Sequence, residues 1–156
     1  MKKIIYLFIF SFFLSTILIA CEKKIQVIDG DTIHIGKLKY RFFGIDAQEI
    51  KQICEKDNTK IQCGVIAKSV LKNKIADKIP ECIVKDKDRY QRLVAECFIG
   101  KESLSRFMVR EGYAVAYSQY SKNFIEDEKY AIQNKLGIWS INFQMPSDYR
   151  KSLRNK

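Results

Sequence analysis

Acidic and basic side chains are grouped between Val27 and Glu49, in VIDGDTIHIGKLKYRFFGIDAQE. The carboxylates of interest are Asp31, Asp46 and Glu49. Arg41 lies in the same stretch, and Arg92 follows in the later segment DKDRYQRLVAEC. Carboxylate oxygens bind hard divalent cations, and guanidinium groups bind phosphate oxygens through paired hydrogen bonds. Two carboxylates for a cation, a further acid and two arginines form the set that phosphodiester cleavage requires.

Each of these signals also has a simpler interpretation. Asp-Gly is a common hairpin turn, so Asp31 and Asp46 could be ordinary turn residues. Arg41 lies in the otherwise apolar run YRFFGI, where a partly buried guanidinium needs an anionic partner. That partner could be a substrate, or it could be Asp31 or Asp46 in a structural ion pair. The residues alone leave both interpretations of Arg41 open.

The elements that must position these side chains can be predicted from periodicity and turn residues. Five strands are predicted at Lys23–Asp29, Thr32–Ile35, Leu38–Ile45, Glu81–Lys85 and Leu93–Ile99. Gly44, inside the third strand, predicts a bulge or a close approach. Helices are predicted at Gly64–Lys78, Glu102–Glu111 and Asn123–Lys135. This order predicts an α+β domain built on a five-stranded OB-type barrel with about three helices.

The charge balance limits the kind of partner. The chain has 156 residues, 28 lysines and arginines against 18 acidic residues, and a formal net charge of +10. Such an excess favours polyanions, which are nucleic acids or an anionic membrane surface. A basic domain without such a partner remains an alternative on charge alone.

The N-terminus is typical of a targeting segment. Lys2 and Lys3 precede an apolar run that ends at Ala20, which is the layout of a secretory signal over residues 1–20. The sequence LIAC at its end resembles a bacterial lipobox, which would make Cys21 the lipidated residue. Release after cleavage near Ala20 and retention as a membrane anchor are the alternatives. All three place a domain at 22–144 outside the cytoplasm, followed by a basic tail at 145–156 with no predicted element.

The remaining cysteines fit an exported protein. Of the five cysteines, four lie beyond Cys21, and an even number in an exported domain predicts two disulfides. Cys54–Cys63 would close a short loop, and Cys82–Cys97 would face each other across a hairpin, so this pairing is predicted. Free buried thiols are the alternative. A zinc site is disfavoured, because the chain has no C-x-x-C pair and one histidine.

Five segments in order resemble the staphylococcal nuclease (thermonuclease) family. They are VIDGDT, RFFGIDAQE, DRYQRLVA, LSRFMVREGYAVAY and GIW, and the resemblance spans about Ile25 to Phe143. It implies an OB-fold and a calcium-dependent nuclease that acts on DNA or RNA. In this family, cleavage leaves a 5′-hydroxyl and a 3′-phosphate. We expect a monomer.

The resemblance also implies roles for particular residues. Those that correspond to calcium ligands are Asp31, Asp46 and, through its backbone carbonyl, Ala47. Those that correspond to catalytic groups are the phosphate-binding Arg41 and Arg92, and Glu49, which activates water. Those that correspond to nucleotide contacts are Arg89, Tyr90 and Tyr117. Aromatic side chains beside cations can stack on bases, although most tyrosines only pack.

The chain departs from the family pattern at three places. Gln48 stands where proline is usual, and Gln91 stands where glycine is usual. A left-handed backbone at Gln91 would cost about 1 kcal/mol. The loop after Glu49 is bracketed by Cys54 and Cys63. No catalytic group is lost, so we expect activity. The alternatives are a catalytically inactive OB-fold lipoprotein that binds nucleic acid and a lipoprotein with a structural role.

Overall fold

The computed structural model describes residues 24–155. The predicted signal segment at 1–20 and the lipidation site Cys21 lie outside the described residues. No helix within 24–155 has the length and apolar character that a membrane span needs. The strands are β1 Ile25–Val27, β2 Thr32–Ile35, β3 Leu38–Phe42, β4 Ile45–Ala47, β5 Cys54–Lys56, β6 Thr59–Ile61, β7 Glu81–Lys87, β8 Leu93–Ile99, β9 Glu102–Ser103 and β10 Ala114–Ala116. The helices are α1 Cys63–Ile75, α2 Leu104–Arg110, α3 Ile125–Gln133 and α4 Pro146–Arg154, with a 3₁₀ turn at Gly137–Ser140.

The main sheet has the order β1-β2-β3-β8-β7, with β9 paired to β8. Neighbouring strands are antiparallel except for β3 and β8, which are parallel. Strand β4 leaves this sheet and pairs with β10. The predicted α+β fold of OB type is confirmed, as are the three predicted helices.

The third predicted strand is divided at Gly44. Strand β3 ends at Phe42 and β4 begins at Ile45, whereas Leu38–Ile45 was predicted as one strand. Gly44 has a φ of +73°, and a Cβ atom there would lie 2.8 Å from the ring of Phe124. The glycine therefore allows both the bend and the close approach of Phe124, and beyond it the chain continues as β4, in which Asp46 contacts Arg41.

The core lies between the curved sheet and helices α1 to α3. Its fully buried side chains include Ile33, Phe42, Leu71, Leu104 and Met108. Each contributes about 1.5–3 kcal/mol through removal of apolar surface from water. This packing fixes the barrel, and hence the distances between the polar residues at its open end.

Both predicted disulfides are present. Cys54–Cys63 joins the β5–β6 hairpin to the first residue of α1, and Cys82–Cys97 links paired positions of β7 and β8. The first bridge lies in the loop that follows β4, so it restrains the segment that carries Glu49.

The C-terminal segment, for which the sequence predicted no element, contains helix α4. Its approach is fixed by the β5–β6 hairpin, because Glu55 and Asn142 exchange two backbone hydrogen bonds of 2.8 Å. Gln52 donates to the carbonyl of Gln144 at 2.6 Å. The helix therefore begins directly beside the loop that follows β4.

Gly64 makes the closest contact between α1 and that loop. A Cβ atom at Gly64 would lie 1.8 Å from the carbonyl oxygen of Glu49. Gly64→Ala should lower the free energy of unfolding by about 1–3 kcal/mol, because the backbone at Glu49 would have to move. Urea unfolding measures this loss.

The control is Ser69→Ala, an exposed change on the same helix. It should alter stability by less than about 0.5 kcal/mol. Equal stability of Gly64→Ala and the unmodified protein would contradict the packing described here.

Candidate active site

A buried ion-pair cluster of Asp31, Arg41 and Asp46 forms the centre of the site. Asp31 precedes β2, Arg41 lies in β3 opposite Thr32, and Asp46 lies in β4. The guanidinium of Arg41 donates to Asp31 Oδ1, and its Nη2 donates to Asp46 Oδ1 at 2.8 Å. Both carboxylates are buried. The structure thus brings together the acids and the arginine that the sequence singled out.

Both carboxylate oxygens of Asp31 accept hydrogen bonds from neighbouring groups. Its Oδ2 accepts the backbone N–H of Ala47 at 2.7 Å, and its Oδ1 accepts the hydroxyl of Thr32 at 3.1 Å. Burial raises the pKa of Asp31 to about 8, although the positive charge of Arg41 opposes this effect. An additional positive charge next to Asp31 would stabilise the ionised form of its carboxyl group.

Arg41 remains charged in this environment. Burial alone would lower its pKa, but Asp31 and Asp46 outweigh burial and raise the pKa above its ordinary value. The structural ion pair that the sequence left open is therefore present. It does not exclude a role toward phosphate, because Arg41 also lines the open cleft described below.

Arg92 lies next to Arg41 because β3 and β8 are parallel. Arg41 is paired with Val94, and Arg92 precedes Val94 by two residues, which places it on the same face. Its Nε donates to Asp88 Oδ2 at 2.7 Å, and its backbone N–H donates to Asp88 Oδ1 at 2.9 Å. Burial acts to raise the pKa of Asp88, but these hydrogen bonds outweigh it and lower the pKa. Asp88 thus orients Arg92, a role that sequence reasoning missed.

Gln91 immediately precedes this arginine and has a φ of +63°. The expectation that its position adopts a left-handed backbone, which favours glycine, is confirmed. Glutamine is nevertheless accommodated, and Arg92 keeps its contacts with Asp88.

Glu49 follows β4 by two residues and points toward the same centre. Its backbone N–H donates to Gln52 Oε1 at 3.2 Å. Its side chain is 36% exposed and accepts a hydrogen bond at Oε1 from Arg150 at 2.9 Å. Glu49 is therefore positioned between the buried carboxylates and solvent.

Arg150, on α4, is a further residue of the site that the sequence did not indicate. Its Nη1 and Nη2 donate to Asp46 Oδ1 and Oδ2 at 2.9 and 2.8 Å. A usable helix signal existed, because Pro146 is suited to a first helical position and Asp148 and Lys151 suit the two ends of the helix dipole. Nothing local to Arg150 indicated its partners, which lie 104 and 101 residues away in the chain.

An open cleft of about 1000 Å³ runs past these residues. The nucleotide-contact candidates that line it are Arg89, Tyr90 and Tyr117. The rings of Tyr117 and Tyr120 are 4.8 Å apart, and the guanidiniums of Arg89 and Arg92 lie 5.6 and 5.5 Å from the ring of Tyr90. Arginines and aromatic rings along one groove can hold phosphates and stack on bases.

The oxygen donors fit a hard cation. Within residues 24–155, no group of three or more His, Cys, Asp or Glu side chains is arranged to hold a metal ion. Asp31 and Asp46 nevertheless supply two carboxylates, and Ala47 lies directly against them. Calcium accepts carboxylates, backbone carbonyls and water together, so this donor set suits it.

Gln48 is fully buried, and neither atom of its side-chain amide has a hydrogen-bond partner among the described residues. An unpaired buried amide costs free energy. The departure from proline at this position therefore introduces a buried, unpaired polar group directly before Glu49.

An OB-type barrel with paired buried carboxylates, two arginines and an aromatic, basic cleft defines a phosphodiester-cleaving enzyme. Residues 39–141 match the family described as Staphylococcal nuclease homologue. The chain belongs to this family, and it is a nuclease.

Individual relatives support this assignment. An uncharacterized endonuclease of Haemophilus influenzae is 29% identical over an alignment of 150 residues that covers 87% of this chain and 79% of the relative. The thermonuclease of Staphylococcus hyicus is 32% identical over 130 residues, covering 76% of this chain and 75% of the relative. The succinoglycan biosynthesis protein ExoI of Rhizobium meliloti is 32% identical over 119 residues, covering 73% and 62%.

Replacing Gln48 by an apolar residue of similar length should stabilise the protein. Gln48→Met removes the unpaired amide and keeps the volume, so the free energy of unfolding should rise by about 1–3 kcal/mol. Thermal and urea unfolding measure the gain. The paired control is Gln52→Met, which should destabilise because Gln52 has partners at both Glu49 and Gln144. A loss of stability in Gln48→Met would contradict this description.

Proposed function

We propose that the protein is a calcium-dependent nuclease that hydrolyses phosphodiester bonds of DNA or RNA, leaving a 5′-hydroxyl and a 3′-phosphate. The observation that carries the proposal is the convergence of Asp31, Asp46, Arg41 and Glu49 at one end of a basic cleft. The names of the nuclease relatives support the same chemistry.

The arginines would bind the scissile phosphate. Arg41 and Arg92 lie on one face of adjacent strands, and both line the cleft. Their guanidiniums can donate paired hydrogen bonds to phosphate oxygens, whose negative charge grows toward the transition state. Calcium, when bound at Asp31, Asp46 and the Ala47 carbonyl, would supply additional positive charge to a phosphate oxygen.

Glu49 would orient a water molecule and accept its proton. It is the carboxylate of the site that is partly exposed, whereas Asp31 and Asp46 are buried. A general base must reach both water and the reacting phosphate, and an exposed acid beside the buried pair meets that condition. Tyr117 and Tyr90, which also line the cleft, would contact the nucleotide.

The decisive variant is Glu49→Gln. With the full-length chain purified in mild detergent, calcium should support plasmid cleavage and a chelator should abolish it. Loss of the general base should lower the rate by about 10²–10⁴-fold. Cleavage rates, together with the end groups of the products, provide the measurement.

The control is Glu55→Gln, an exposed glutamate in the cysteine-bracketed segment that follows Glu49. It should retain the full rate. Undiminished, calcium-independent cutting by Glu49→Gln would remove this glutamate from the mechanism. A folded protein that retards DNA without cutting it would support the inactive binding module instead.

We further propose that the protein acts outside the cytoplasm, attached to a membrane through lipid on Cys21. The apolar run before Cys21 supports export, and the two disulfides are compatible with an oxidising compartment.

Expression in a bacterium fed labelled palmitate tests this assignment. The unmodified chain should carry label and sediment with membranes, and Cys21→Ser should lose the label. Soluble, unlabelled protein of reduced mass would indicate ordinary cleavage. An unlabelled membrane protein of full mass would indicate an uncleaved anchor.

A further inference from the structure

Arg150 joins two carboxylates to which different roles are proposed. It binds Asp46, a proposed calcium ligand, and Glu49, the proposed general base. The arginine comes from α4, which lies beyond the part of the chain that matches the family, residues 39–141. The proposed calcium site therefore includes a cation supplied by a helix outside the matched range.

The contact with Asp46 occupies both of its oxygens. Arg150 donates to Oδ1 at 2.9 Å and to Oδ2 at 2.8 Å, and Arg41 also donates to Oδ1 at 2.8 Å. A guanidinium bound in this bidentate manner covers the edge of the carboxylate that a divalent cation would approach. Calcium bound to the same oxygens would also lie close to the charge of Arg150 and be repelled by it.

Helix α4 has few other attachments near the site. Pro146 is its one buried residue within the described part of the chain. Tyr149 donates its hydroxyl to the carbonyl of Lys51 at 3.1 Å, whereas Leu153 and Arg154 are exposed. The ion pairs of Arg150 are thus the main polar attachment of α4 to the catalytic centre, and their loss would free the helix.

We propose that the guanidinium of Arg150 takes the place of calcium in the metal-free protein by binding Asp46 and Glu49. Calcium then displaces Arg150 from these carboxylates and releases α4. The inference rests on the proposed calcium-dependent function and adds a control step to it. Displacement also frees Glu49 to bind water. It widens the cleft, because Arg150, Leu153 and Arg154 line one of its walls.

Calcium affinity is the first test. Full-length protein in mild detergent, freed of metal with a chelator, is titrated with calcium in a calorimeter. If the arginine holds the site closed in about nine molecules of ten, Arg150→Gln should bind calcium about tenfold more tightly. Lys151→Gln is the charge-matched control, because Lys151 is exposed and pairs with Asp148. It should bind calcium as the unmodified protein does.

Three results would overturn the inference. Equal affinity in Arg150→Gln and the unmodified protein would show that the arginine does not compete. Weaker binding in Arg150→Gln would show that it assists the cation. Absence of calcium binding in every protein would remove the proposed calcium dependence as well, which distinguishes that failure from the first two.

Hydrogen exchange of the α4 amides gives a readout that does not depend on activity. In the unmodified protein, residues 147–154 should exchange slowly without calcium and faster with it. In Arg150→Gln they should exchange rapidly in both conditions, while the amides of β8 stay protected and report an intact barrel. Calcium-independent protection of α4 in the unmodified protein would contradict displacement.

Discussion

The ion pairs among Asp31, Arg41 and Asp46 constrain the whole structure. A guanidinium and two carboxyl groups are withdrawn from water there, and removal of one partner from such a buried set typically costs about 3–5 kcal/mol. The set is tolerated because each of these groups has hydrogen-bond partners within the protein. That geometry requires β2, β3 and β4 to meet within a few ångströms, so the register of Thr32 opposite Arg41 and the bend at Gly44 are conditions of the site.

The same interactions explain how a stable fold can also be a phosphate-binding surface. Arg41 is held by both Asp31 and Asp46, and Arg92 is held by Asp88. Their side chains are therefore ordered before substrate arrives, which lowers the entropic cost of binding and favours charge stabilisation in the transition state. Both nevertheless line the cleft, so a phosphate can approach them. The net charge of +10 attracts the polyanion over longer distances.

Local sequence patterns predicted the structural features that are determined by residues close together in the chain. Alternation in TIHI and the turn residues around it predicted β2, and the spacing of Cys82 and Cys97 about a turn predicted their disulfide. Motifs in a fixed order then placed Asp31, Arg41, Asp46 and Glu49 together. Each of these predictions used either the residues of one short segment or the known order of the family's motifs.

What the sequence did not reveal depends on contacts between distant segments. Arg150 resembles any other arginine of a basic tail until α4 is placed beside β4. Asp88 resembles a charged turn residue until Arg92 folds back onto it. The division of the third strand likewise depends on Phe124, which immediately precedes α3 and packs against Gly44 from 80 positions later. Such contacts leave no periodicity in the sequence: Arg150 and Asp88 alone would each suit a solvent-exposed position, and Gly44 predicts a close approach without identifying Phe124 as the partner.

The position of Glu49 shows how tertiary contacts can replace a local constraint. Proline before this acid would fix the backbone directly, and this chain has Gln48 instead. Here the backbone is fixed from outside: Gln52 accepts from Glu49 N–H and donates to Gln144, while Gly64 closes against the Glu49 carbonyl. The Cys54–Cys63 bridge holds the same loop to α1. The loop and the C-terminal segment therefore form one unit, and the orientation of the proposed base depends on that unit rather than on the residue that precedes it.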